Sequence, residues 1–140
     1  MGRFHDAQAG GTYERVLAEL RAGRKTGHWM WFVFPQLDGL GRSPTARHYA
    51  IRSLHHARDY LADPVLGPRL RECCSALLSL PDPVDAARVL GPVDALKLRS
   101  SMTLFARAAD DDEIFRAVLA RFYAGAEDEA TIRLLGADPG

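Results

Sequence analysis

Long apolar runs are missing from this chain. The longest, Trp29–Pro35, is far too short to cross a bilayer. The opening "MGRFHDAQAGG" is polar and glycine-rich and lacks the apolar stretch of a secretory signal. Net charge is missing too, since 18 acidic and 18 basic side chains cancel. No global field therefore draws the protein to nucleic acid or to acidic membranes. Cysteine is scarce: the only two, Cys73 and Cys74, are adjacent. Neighbours do not readily meet disulfide geometry, and they lack the spacing of a zinc site. They read as small apolar groups in a reducing compartment, so a cytoplasmic protein without metal or cofactor is expected. Alternating apolar and polar runs bounded by hairpin turns are also missing, which speaks against a sheet.

Helix punctuation is abundant. Ser43-Pro44, Asp63-Pro64 and Asp82-Pro83 each place a capping side chain before a proline suited to a first helical turn, and Gly91-Pro92 repeats the pattern more weakly. Apolar residues follow at helical spacing. Tyr13, Val16, Leu17 and Leu20 mark a helix ending at Gly23. Ala46, Tyr49, Ala50, Leu54, Ala57 and Leu61 mark one stripe, and Leu66, Leu70, Cys73, Leu77 and Leu80 another. Ile114, Phe115, Val118, Leu119 and Phe122 form a helix closed by Gly125. The chain of 140 residues is expected to be one all-α domain of six or seven helices over 4–135, with a loose tail at 136–140.

Against that background, "GRKTGHWMWFVFPQ" at 23–36 is unusual. Trp29, Met30, Trp31, Phe32 and Phe34 are five large side chains within seven positions. A lone strand in a helical chain would have no partner for its backbone, so an irregular or briefly helical segment is expected, stopped by Pro35. It reads either as a core wedge or, in part, as an aromatic wall. In the second reading Trp29 or Trp31 stacks a flat ring, while Lys25, His28 and Gln36 bind phosphate, ribose or carboxylate. Histidine exchanges protons near neutral pH, which makes His28 a candidate acid.

A second cluster, "GPVDALKLRSSMTLFAR" at 91–107, places Asp94, Lys97, Ser100 and Ser101 broadly along one helical stripe. It reads as a ligand face or as a solvated face with an ion pair of little worth. No nucleophile elbow accompanies the serines. The loop "LDGLGRSP" adds Gly39 and Gly41 before a Ser43 cap, a backbone suited to greeting an anion but without the full phosphate-loop pattern. His48, His55 and Asp59 share a stripe without metal-motif spacing and read as an exposed face.

The blocks "FHDAQ", "GRKTGHWMWFVFPQLDGLG", "DALKLRSSMTLFARA" and "IFRAVLARFYAGAEDEATIRLL" closely resemble the bacterial domain-of-unknown-function family DUF1810 over roughly residues 4–135. The resemblance implies a mainly helical fold and gives priority to Lys25, His28, Gln36, Ser43, Asp94, Lys97, Ser100, Ser101 and Thr103. Here Thr26-Gly27 precedes His28, where that family often has serine. A weaker architectural likeness, in the closing helices, is to the NADAR family. It implies handling of NAD- and ADP-ribose-related molecules and cleavage of N-glycosidic bonds, and carries over no residue.

The expected function is that of a small-molecule enzyme acting on a nucleotide- or ADP-ribose-like ligand, with N-glycosidic hydrolysis as the reaction. That chemistry needs a carboxylate to orient water and a donor at the leaving base. Asp94 is the first carboxylate candidate and Asp38 the next, with His28 or Lys97 as donor. Lys25, Gly41 and Ser43 would hold phosphate. The alternative is a non-catalytic module binding a nucleotide or a protein.

Overall fold

Tyr13, Val16, Leu17 and Leu20 fall on the buried face of α2 (Thr12–Ala22), which Gly23 closes in the left-handed conformation that only glycine adopts without strain. The computed structural model describes residues 1–137. Ten helices are found among them: α1 (Gly2–Gln8), α2, α3 (Met30–Val33), α4 (Pro44–His48), α5 (Leu54–Ala62), α6 (Leu66–Leu78), α7 (Ala86–Leu90), α8 (Pro92–Ala108), α9 (Glu113–Tyr123) and α10 (Glu129–Ala137). They form one all-α domain, with more helices than the six or seven expected. Of the expected tail, residues 136 and 137 belong to α10, and 138–140 lie outside the described residues.

The excess comes from short helices. The stripe from Ala46 to Leu61 is two helices, not one. Ile51 leaves the helical path to pair with Leu37 in an isolated parallel bridge: Ile51 N–H donates to the Gln36 carbonyl at 2.9 Å, and Asp38 N–H to the Ile51 carbonyl at 2.7 Å. Ser53 then caps α5 by accepting from His56 N–H. Asp85, not Asp82, caps α7. At the end of α9, Ala124 takes the left-handed position and Gly125 N–H reaches back to the Leu119 carbonyl.

The axis of the fold is α8, which packs against α5, α7, α9 and α10. Its second half is buried nearly all round, with Leu98, Met102, Leu104 and Phe105 fully covered. Such a helix belongs to the interior, and each large side chain buried there contributes about 1.5–3 kcal/mol. Its first turns reach the surface, where Val93 and Leu96 are 65% and 66% exposed. A second group, α2, α5 and α9, packs around α6. The aromatic segment is a single helical turn, α3, stopped before Pro35. It buries Trp29, Met30, Val33 and Phe34, and leaves Trp31 and Phe32 half-buried.

Candidate functional site

Glu19 organises the loop that carries Lys25. One of its carboxylate oxygens accepts from Thr26 N–H at 2.6 Å, Gly27 N–H at 2.9 Å and the Trp29 indole N–H at 3.0 Å. Burial pulls this carboxyl upward, but the donors from Gly27, Trp29 and Thr26 outweigh it and hold Glu19 below the usual carboxylate range. Lys25 N–H donates to the Val89 carbonyl at 2.8 Å. The loop is thereby tied to α7, just ahead of the α8 N-terminus.

From that position Lys25 Nζ pairs with Asp94 Oδ2 at 3.0 Å and lies 5.2 Å from the centre of the Trp29 ring. Lys97 Nζ is 3.6 Å from Asp94 Oδ1 and 5.1 Å from the Trp31 ring centre. Each ammonium thus has an aromatic face and a share of one carboxylate, an arrangement that holds a cation without fully neutralising it. Two cations share the one carboxylate of Asp94, and a second carboxylate, Asp128, lies on the depression that Lys97 lines. The contact of Lys97 with Asp94 is the looser one, and its side chain is the more exposed, 25% against 10% for Lys25.

Lys97 lines an open depression of about 300 Å³. Gln36, Leu40 and Gly41 form one wall, and Val93, Leu96, Lys97 and Ser100 of α8 form another. Asp128 and Ala130, at the start of α10, close it. Gly41 is needed here for space: a Cβ on it would stand 2.5 Å from that of Ala46. The bridge between Leu37 and Ile51 fixes the backbone of Gln36. Ser100 donates to the Leu96 carbonyl at 3.3 Å.

The structure therefore gathers Gln36, Gly41, Lys97 and Ser100 on one depression, with Asp94, Lys25 and Trp31 behind Lys97. Other expected site residues fall elsewhere. Trp29 is buried with its indole N–H committed to Glu19, so it offers no free face for stacking. Ser43 caps α4, accepting from Ala46 N–H at 3.1 Å. Ser101 is fully buried and its hydroxyl has no partner among the described residues. Thr103 is buried and structural, donating to the Arg99 carbonyl and accepting from Asp128 N–H. His28 is exposed, does not line the depression and has no hydrogen bond or ion pair among the described residues. Asp38 is exposed as well.

Sequence reasoning missed Glu19 and Asp128. Glu19 has no local signature, because its partners lie across a turn. Asp128 had one: an acidic cap before the apolar run of α10. His55 and Asp59 form an exposed pair at 3.6 Å. No group of three or more potential ligands close enough to hold a metal occurs among the described residues. No helix among them is long and apolar enough to cross a membrane.

Fold and site together define a small all-α domain with a cation-bearing depression at the start of its central helix. The family described as "Protein of unknown function (DUF1810)" matches residues 1–135. The chain belongs to that family. Among solved structures, the conserved hypothetical protein Rv1873 from Mycobacterium tuberculosis is 53% identical, with a TM-score of 0.93 over 96% of this chain and 95% of that one. No curated protein matches the chain. None of these comparisons supports the NADAR likeness.

Proposed function

We propose that the depression binds a small anionic ligand of nucleotide type. The observation that carries this reading is Lys97: its ammonium stands in the wall of the depression, over Trp31, and is only loosely paired with Asp94 at 3.6 Å. A phosphate oxygen can take up such a cation with little loss, because Asp94 keeps its tighter partner, Lys25. Gln36 offers a donor and an acceptor to a base or sugar. Leu40, Val93 and Leu96 supply apolar surface.

N-glycosidic hydrolysis is the reaction to which this reading extends. Water would add across the bond, its oxygen going to the anomeric carbon and a proton to the base nitrogen. Asp94, held in place by Lys25 at 3.0 Å, would orient the water while Lys97 stays with the phosphate. Nothing in the position of His28 supports a part for it as the acid. The exposed Val93 and Leu96 favour a second reading, in which the same rim meets a protein. The buried, free Cys73 and Cys74 support a cytoplasmic setting.

The test is titration of the protein with NAD, ADP-ribose and a nucleotide panel, followed by calorimetry and by chromatography for released base. Saturable binding without release supports the binding module, and release that is lost in Asp94→Ala supports the hydrolase. Absence of binding to every member overturns the reading.

A further inference from the structure

Asp128 is the least explained polar group on the depression. Its carboxylate oxygen Oδ2 caps α10, accepting from Thr131 N–H at 3.0 Å and from the Thr131 hydroxyl at 2.6 Å. Its second oxygen, Oδ1, has no partner among the described residues, although the residue lines the depression. A cap needs only one oxygen.

The position of Asp128 is unusually well fixed. Arg99, Thr103 and Arg107 follow one another at helical spacing on α8, and all three hold the segment before α10. Arg99 donates to the Ala126 carbonyl at 3.0 Å and to the Glu127 carbonyl at 2.7 Å. Thr103 accepts from Asp128 N–H at 2.9 Å. Arg107 forms a bidentate pair with the Glu127 carboxylate at 2.7 and 3.0 Å. The backbone of Asp128 is thus tied to α8 at Thr103, six positions beyond Lys97. Lys97 and Asp128 nonetheless line the same depression, from α8 and from the start of α10.

We infer that Asp128 reads the vicinal hydroxyls of a ribose whose phosphate is held by Lys97. This rests on the anionic-ligand reading above and narrows it to ribonucleotides. A carboxylate oxygen accepts from hydroxyl groups and gains nothing from a deoxy position. It also repels phosphate, which directs the anion to the Lys97 end. The preorganised segment means that little side-chain freedom is lost on binding. Asp128 is a specificity residue, and Arg99, Thr103 and Arg107 are positioning residues.

The experiment compares binding of AMP with that of its dideoxy analogue, which lacks both ribose hydroxyls, to the wild-type protein and to Asp128→Asn. Asparagine caps a helix as well as aspartate, so the melting temperature of the variant without ligand should be close to that of the wild type. The expected result is a preference for AMP of about tenfold or more in the wild type, reduced in Asp128→Asn. Equal binding of the two nucleotides by the wild type overturns the inference and leaves the anionic-ligand reading standing. Failure of the wild type to bind either one overturns the inference, and the anionic-ligand reading is then decided by the wider panel above. An undiminished preference in Asp128→Asn also overturns the assignment to Asp128, and equal binding by the wild type overturns it even if the variant does not fold.

Discussion

Asp94 stands between two ammonium groups, 3.0 Å from Lys25 and 3.6 Å from Lys97. The tighter partner comes from the loop after α2, and the looser one from the next turn of α8 itself. This inequality marks Lys25 as the tie between the loop and α8 and leaves Lys97 the more loosely held of the two.

A double-mutant cycle should resolve the two. Lys25 and Asp94 are mostly covered, so their coupling should be about 1–2 kcal/mol. The coupling of Lys97 with Asp94 should be below about 0.5 kcal/mol. Urea unfolding of Lys25→Met, Lys97→Met, Asp94→Asn and the two doubles measures both. Equal couplings would remove the distinction on which the site rests.

Glu19 predicts an acid-sensitive loop. Its carboxyl lies below the ordinary range when folded, so its contribution is complete above the unfolded value, near 4.3, and is lost as pH falls through the folded one. Glu19→Gln should cost about 2 kcal/mol at neutral pH. The gap to the wild type should narrow below about pH 4. A gap that stays constant down to acid pH would show that the carboxylate charge is not what holds Thr26, Gly27 and Trp29.

Ser101 and Thr103 are near neighbours on α8 with opposite expectations. The Ser101 hydroxyl is buried without a partner among the described residues, so Ser101→Ala should be neutral or stabilising. Thr103→Val removes the acceptor of Asp128 N–H and should cost about 1–2 kcal/mol. Thermal unfolding of the two variants checks the order, and Ser101→Ala as the more damaging change would contradict it.

The cysteines should be inert in the native state. Burial pushes the Cys73 thiol up to about 12 and Cys74 well above its ordinary value. Ellman's reagent at neutral pH should therefore find no thiol until denaturant is added, and then two. Fast labelling of the folded protein would contradict the packing of α6.

What the sequence disclosed follows the range of the forces involved. Gly23, the Pro92 start of α8 and the stripes of α6 and α9 are local signals, and the structure follows them. The break between α4 and α5 was illegible because it depends on Ile51 meeting Leu37, a contact between distant positions. Lys25, Asp94 and Lys97 were recognisable as polar residues beside aromatics, but nothing local shows that one carboxylate serves both lysines. Trp29 was indistinguishable from Trp31 by type. Only the reach of Glu19 across the turn commits one ring to the core and leaves the other half-buried beneath Lys97.

The most direct measurement is the melting temperature of the wild type and of Lys97→Met across a titration of ADP-ribose. Ligand that binds only the folded state raises the transition with concentration. The expected result is a rising transition in the wild type and a flat one in Lys97→Met, with the two proteins melting alike without ligand. A flat wild-type curve, or an equal rise in both proteins, would contradict a ligand held by Lys97.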